Sequence, residues 1–436
     1  MDRFFHSVTL DSAKCLGCTN CIKRCPTEAI RVSSGKARII SERCIDCGQC
    51  IRVCPHHAKK AQCDSLSEIK KFQYKIAIPA PALFGQFNNL DDIDIVLNGL
   101  LHMGFDDVFE VSRGAELVSE ATRRLMNENK LVRPVISSAC PAIVRLIRVR
   151  FPDLCEHVLP INAPMEIAAM LAKNEAVRKT GLPLEAIGAF FISPCPAKVT
   201  SIKVPIGTER SWLDGAISMS DIYPKLTAEM EKLSHVDPIA RSGIIGVGWA
   251  GSGGEAAALL DEKYLAADGV ENVIRVLEEL EDERIRELDF IELNACSGGC
   301  VGGVLTVENA YVAKARIQRL RKYLPVSQNH LNGGVPKSME WTGELEFAPV
   351  LKLSSDLEEA MSMMARIDEI CAALPGLDCG SCGAPSCRAL AEDVVRGDAK
   401  TSDCIFILRE KIQNVASTLS SMGGFYPHAT GKREDS

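Results

Sequence analysis

The chain has 436 residues, room for roughly two to four domains, and its 46% apolar and 25% charged residues are the balance of a globular protein rather than a disordered one. A net charge of −7, from 50 basic and 57 acidic residues, argues against a nucleic-acid groove or an anionic membrane surface as the main partner, and no apolar run approaches the roughly 20 residues that span a bilayer. Met1-Asp2-Arg3-Phe4-Phe5 does not open a signal peptide, so the expected location is the cytoplasm, where 19 cysteines gain nothing from disulfides and point to metal ligation.

The first element is an internal repeat. From Cys15 to Cys54 the chain reads C-x2-C-x2-C-x3-C-P twice, with the runs closed by Pro26 and Pro55. Two-residue spacing lets three thiolates of one loop meet one face of a cubane, while the fourth cysteine, displaced by a short helix, ligates the other cluster. One [4Fe-4S] cluster is therefore expected on Cys15, Cys18, Cys21 and Cys54, and the other on Cys44, Cys47, Cys50 and Cys25. A pair of zinc sites would use four-cysteine sets without the trailing C-P and the duplication. Residues 1–65 resemble the bacterial two-cluster ferredoxin, an α+β domain.

Residues 66–325 read as α/β. Short apolar runs such as Lys75-Ile76-Ala77-Ile78, Pro134-Val135-Ile136-Ser137 and Ala189-Phe190-Phe191-Ile192 alternate with helical stretches such as 141–150 and 164–178, which predicts parallel or mixed sheets flanked by helices, in two lobes. Four cysteines stand just past the ends of such runs: Cys140, Cys195, Cys296 and Cys300. In open α/β sheets ligands gather at the carboxyl ends of strands, so these four can converge on one more cubane. Buried, inert cysteines are the competing reading.

Residues 326–355 are rich in Gly, Pro, Asn and Ser and read as a linker, and 357–374 carries apolar residues at helical spacing. A third cysteine block follows at Cys379, Cys382, Cys387 and Cys404, in a small, mostly helical module over 356–415. It is similar to the four-iron module of redox-chain subunits, although a zinc ion would accept the same four thiolates. Residues 416–436 read as a tail. Cys63, Cys155 and Cys371 are left over.

The segments around Cys140, Cys195 and Cys296-Ser297-Gly298-Gly299-Cys300-Val301-Gly302-Gly303 resemble, in order and spacing, the three signature motifs of the iron-only [FeFe] hydrogenase family. With the repeat, the likeness covers about residues 10–315. It implies that the four cysteines hold the cubane of an H-cluster and that Cys300 bridges to a two-iron subcluster carrying CO, cyanide and an azadithiolate. Glycines at 298, 299, 302 and 303 suit the close approach of backbone that a bridging thiolate requires. By the same resemblance Lys198, three residues after Cys195, donates to a cyanide of the distal iron, and Ala80 and Pro81 belong to a loop whose backbone helps hold the other diatomics.

Departures from the family pattern matter equally. Ala139 stands where fast members carry a proton-passing cysteine, Ser193 and Asn294 replace methionines near the cluster, and Ser201 replaces a glutamate. The helix expected to carry relay glutamates reads Glu116-Leu117-Val118-Ser119-Glu120. Proton transfer needs groups chained within hydrogen-bond reach, so Glu255, after the turn Gly251-Ser252-Gly253-Gly254, and Glu292, before Cys296, are the candidate carboxylates.

These losses and the C-terminal module resemble the sensory branch of the family. The activity implied is 2H⁺ + 2e⁻ ⇌ H₂, slow and used to report hydrogen or redox state. The alternative is an electron-transfer or iron–sulfur scaffold protein without the two-iron subcluster. Expected partners are hydrogen and protons, a ferredoxin-like electron partner or a signalling protein, and hydrogenase maturation proteins, with a homo-oligomer allowed. No output domain is expected after residue 415, so a signal would pass to another chain.

Overall fold

The computed structural model describes residues 5–128 and 130–422. The repeat folds as two matching halves. β1 (Val8–Leu10) pairs antiparallel with β4 (Lys59–Ala61), and β2 (Ile30–Ser33) with β3 (Lys36–Ile39). Short helices Asn20–Lys23 and Gln49–Arg52 occupy equivalent places, each entered through a left-handed residue, Thr19 at φ 64° and Gly48 at φ 75°. The same backbone path is thus traced twice, with glycine at this helix entry only in the second copy.

The central region holds two parallel sheets. One has the order β6 (Asp107–Val108), β5 (Tyr74–Pro79), β8 (Ile187–Ser193), β9 (Gly215–Ser218), and the other β10 (Tyr264–Asp268), β11 (Phe290–Asn294), β7 (Val135–Ile136). Every residue of β8 is buried, as a strand covered on both faces requires, which is why its sequence runs apolar without alternation. Helices Pro141–Arg150 and Pro196–Lys203 begin on a proline directly after Cys140 and Cys195, where the missing N–H leaves no donor unpaired. Each of these cysteines is thereby fixed between the end of a strand and the start of a helix.

The N-terminal half is joined to this core by a buried network. The Ser7 hydroxyl donates to the Pro196 carbonyl at 2.8 Å, and the Asp46 carboxylate accepts from the Val8 N–H at 3.0 Å and the Thr200 hydroxyl at 2.9 Å.

Two stretches depart from their sequence reading. Segment 326–355 has little regular structure but is not a loose linker: Glu116 accepts from the N–H groups of Gln328 and Asn329, Glu120 from that of Leu331, and the Trp341 N–H bonds to the Pro160 carbonyl. Backbone laid against a core must find partners, and these carboxylates supply them. In the stretch read as a tail, the helix Ile405–Met422 continues through 416–422. No Gly or Pro interrupts it before Gly423, and Leu408, Ile412, Val415 and Leu419 form an exposed apolar stripe at helical spacing. The rest of the expected tail, 423–436, lies outside the described residues.

The C-terminal module adds helices Leu357–Ala373 and Cys387–Val395. It docks on the N-terminal half through a two-point Arg31–Asp393 pair, Arg43–Glu392 at 2.5 Å, and the Val32 N–H on the Gly383 carbonyl at 2.9 Å. Among the described residues no helix is long and apolar enough to cross a membrane.

Candidate metal centres

The duplicated loops form two cavities, one for each half of the repeat. One is lined by Cys15, Cys18, Cys21 and Cys54, the other by Cys25, Cys44, Cys47 and Cys50. Each set takes its fourth thiol from the opposite repeat. Backbone donors already point at the sulfurs: Ala29 N–H to Cys25 Sγ at 3.2 Å, Ala58 N–H to Cys54 Sγ at 3.3 Å, and Ala37 N–H to Cys15 Sγ at 3.4 Å. Burial pushes the Cys50 thiol up to about 12, and the Cys21 and Cys47 thiols above their ordinary values. Such sulfurs resist carrying charge alone, and four of them around one space with N–H donors fit a cubane that takes up the thiolate charge.

In the C-terminal module Cys404 is buried, Cys382 and Cys387 pack into the same small core, and the Cys382 thiol interacts electrostatically with Cys379 and Cys404. Gly380 lies against Lys23 and Ile22 of the first repeat, so this set faces the N-terminal half.

The central four come from both sheets: Cys140 follows β7, Cys195 follows β8, and Cys296 and Cys300 follow β11. They converge where the carboxyl ends of the strands meet. Burial raises the Cys195 thiol to about 11, and the thiols of Cys140 and Cys300 add to it. Cys296 is raised in the same way by burial and by the other three. Cys47 lies close enough to Cys296 for the two thiols to interact, which sets the Cys25 group beside the central one.

The loop carrying Cys300 threads between two neighbours. The Val301 N–H bonds to the Ala250 carbonyl and the Leu305 N–H to the Pro194 carbonyl, both at 3.0 Å. A Cβ on Gly299 would stand 2.4 Å from the Ser252 nitrogen, and one on Gly303 would stand 2.2 Å from the Pro194 oxygen. Only glycine admits this approach, and it turns Cys300 into an enclosed cavity.

That cavity decides the chemistry. Among the described residues Cys300 is the only cysteine lining it, with Lys198, Glu255, Glu292 and Asn294 on its polar side and Ala80, Pro81, Ala139, Met165, Phe191 and Trp249 in its apolar wall. Lys198 Nζ lies 3.5 Å from Cys300 Sγ. Burial works against its ammonium, but the thiols of Cys300, Cys195 and Cys140 outweigh burial and push its pKa up. A fixed positive charge faces the thiol that opens into the cavity.

The two glutamates differ. Glu292 accepts from the N–H groups of Gly253 and Ala256, both at 2.9 Å, and from the Asn294 amide at 2.7 Å. Glu255 accepts only from the Ser137 hydroxyl among the described residues, at 2.6 Å, and Ser137 in turn accepts from the Ala139 N–H at 3.1 Å. Burial first, and the neighbouring Glu292 second, raise Glu255 to about 8. Burial raises Glu292 as well, while its three donors favour the carboxylate form.

Ser193, like Cys140, Cys195 and Cys296, does not line the cavity. Its hydroxyl bonds within the turn to the Cys195 carbonyl at 2.9 Å. Ser137 and Trp249 were not singled out by sequence. Ser137 sits inside the first motif, where a hydroxyl at a strand end was the available signal; Trp249 carries none.

The comparisons agree with this geometry. The family model for the iron-only hydrogenase large subunit, C-terminal domain, matches residues 73–261 and 251–304, a 4Fe-4S dicluster model matches 7–55, and an Fe-S cluster model matches 374–406. The chain is 29% identical over 212 residues to the periplasmic [Fe] hydrogenase large subunit of Nitratidesulfovibrio vulgaris, covering 44% of this chain and 50% of that one. It is 25% identical over 409 residues to iron hydrogenase 1 of Clostridium pasteurianum, covering 76% and 71%. The chain thus spans half the length of the first relative and less than three quarters of the second. A structure of [FeFe]-hydrogenase HydA1 from Chlamydomonas reinhardtii shares the fold at a TM-score of 0.51 and 16% identity, covering 65% of this chain and 98% of that one. With the first of these models spanning more than half the chain and every signature cysteine at the junction of the two sheets, the chain belongs to the iron-only hydrogenase family.

Proposed function

We propose that this protein interconverts hydrogen with protons and electrons, turns over slowly, and serves as a hydrogen or redox sensor. The observation that carries this reading is the enclosed cavity in which Cys300, Lys198 and the Glu255–Glu292 pair face one space while Ala139 offers no proton. Cys140, Cys195, Cys296 and Cys300 would hold a cubane, and Cys300 would also hold the two-iron subcluster with its CO, cyanide and azadithiolate ligands. When bound, that group supplies the open metal site at which hydrogen, protons and electrons interconvert.

The chain's own residues do the rest. Lys198 offsets negative charge beside Cys300 and donates a hydrogen bond there. The wall of Met165, Phe191 and Trp249 keeps water out, which strengthens every charge inside. Glu255 holds a proton at its carboxyl and Glu292 can accept one, which makes the pair a relay of two titrating groups on the cavity wall. Electrons have a marked order of thiol sets: the central set lies beside the Cys25 set, and the C-terminal set lies against the first repeat.

Four cubanes and the two-iron group predict about eighteen irons per fully matured chain, sixteen of them in clusters of the cubane type. Iron and zinc analysis checks this, and zinc in place of the C-terminal cubane would remove that module from the electron path.

The sensor role rests on Ala139 and on the docked C-terminal module. A partner that reads hydrogen must bind the oxidised and reduced forms with different affinity, since equal affinity shifts no equilibrium. The helix Leu357–Ala373, with Leu357, Met361 and Met364 exposed, is the proposed docking surface. A cytoplasmic site of action suits the 19 thiols. The test joins ferredoxin-linked turnover to partner binding under hydrogen and under argon. Slow turnover with hydrogen-dependent binding is expected; rapid turnover with no such dependence would leave a bulk catalyst.

A further inference from the structure

The two halves of the N-terminal repeat share a backbone but not a charge. Ile30 and Lys59 hold the same place in Cys25-Pro26-Thr27-Glu28-Ala29-Ile30 and Cys54-Pro55-His56-His57-Ala58-Lys59, and each opens a short strand, β2 and β4. Ile30 lines the cavity of the Cys25, Cys44, Cys47 and Cys50 set, and Lys59 lines that of the Cys15, Cys18, Cys21 and Cys54 set. Both are buried, at 2% and 3% exposure. An aliphatic side chain needs no explanation there. An ammonium does, because a buried cation without counter-charge is strongly unfavourable.

Among the described residues the Lys59 ammonium has no hydrogen-bond partner, and no carboxylate forms an ion pair with it. The groups it meets electrostatically are sulfurs: Cys21 and Cys54 of its own set and Cys50 of the other. The second cavity pairs its charges: Asp46 lies 3.8 Å from His6 Nδ1 and interacts with the buried Arg145 guanidinium. Buried Asp46 lines that cavity, at the place that Gly17 holds in the first.

We infer that Lys59 is the fixed counter-ion of the cubane on Cys15, Cys18, Cys21 and Cys54 and makes it the more easily reduced of the N-terminal pair. This rests on the cubane assignment proposed above. An electron added to a cubane increases its negative charge, so a positive charge held close in a low-dielectric core favours the reduced form and raises the midpoint potential. An electron leaving the central set would then settle on the cubane beside Lys59 rather than on the one beside the central set. Lys59 is a positioning residue for charge, with no contact to the hydrogen-binding cavity.

The test is a potentiometric titration of the reconstituted full chain, followed by electron paramagnetic resonance, in the parent and in Lys59→Met, Lys59→Ile and Lys59→Arg. Lys59→Ile copies the residue that the other half already buries at this place. One cubane midpoint should move to more negative potential in the Met and Ile variants and stay near the parent value in the Arg variant, with a smaller shift of the second N-terminal midpoint through Cys50 and the central and C-terminal midpoints unmoved. Unchanged midpoints in the Met and Ile variants would overturn the proposal. So would loss of one cubane from both, since the ammonium would then be needed to hold the cluster rather than to set its potential. A parent chain that lacks two N-terminal cubane signals would instead defeat the ligand assignment itself.

Discussion

Cys300→Ala should abolish retention of the two-iron group, the largest single effect expected of any substitution in this chain. Three of the four central cysteines stand outside the enclosed cavity, and Cys300 alone opens into it, 3.5 Å from the Lys198 ammonium. Removing its sulfur removes the covalent tie and leaves Lys198 facing an uncharged methyl group in a buried space. The infrared bands of CO and cyanide should vanish after maturation, while the two N-terminal clusters keep their iron. Cys379→Ala, in the distant C-terminal set, should leave those bands in place. Undiminished bands in Cys300→Ala would contradict the assignment.

Glu255→Gln should slow hydrogen turnover by about 10²–10⁴-fold with the cofactors intact, the range typical of losing a positioned acid or base. Glutamine keeps the shape and can still meet the Ser137 hydroxyl, but it carries no titratable proton. The sign of the pH effect follows from burial. The Glu255 carboxyl is raised to about 8, so it holds its proton below that pH and loses it above. Proton donation should therefore fall as pH rises through about 8, and this inflection should be missing in Glu255→Gln. Glu292→Gln removes the neighbouring charge that helps to raise Glu255, so the inflection should move to lower pH. Parent rates across the pH range in both variants would show that protons travel elsewhere.

The proposed ligand sets could be drawn from sequence because cluster ligation fixes spacing. Three cysteines at two-residue intervals and a fourth before proline leave few arrangements, and the crossed sets line separate cavities. The two sheets were legible for a similar reason: strands buried on both faces, such as Ile187–Ser193, must be apolar throughout. Which carboxylates meet at the cavity was legible only as candidates. Ser137, Glu255 and Glu292 lie on different elements, and nothing in their spacing shows that β7, β11 and the turn before Glu255 close on one space.

Glu116 and Glu120 illustrate the opposite difficulty. Their spacing on one helix face suits a relay, but their carboxylates accept backbone N–H groups from 328–331, a contact no local pattern encodes. The composition of 326–355 suggested a linker. Composition says nothing of what such a stretch packs against, and here it is held by buried Glu116 and half-buried Glu120.

Infrared spectroscopy of the matured protein under argon and then under hydrogen tests the account most directly. Bands of iron-bound CO and cyanide should be present and should shift when hydrogen replaces argon, because the group held at Cys300 changes redox state. A matured chain with all four cubanes but no such bands would contradict the account and leave an iron–sulfur electron-transfer scaffold in its place.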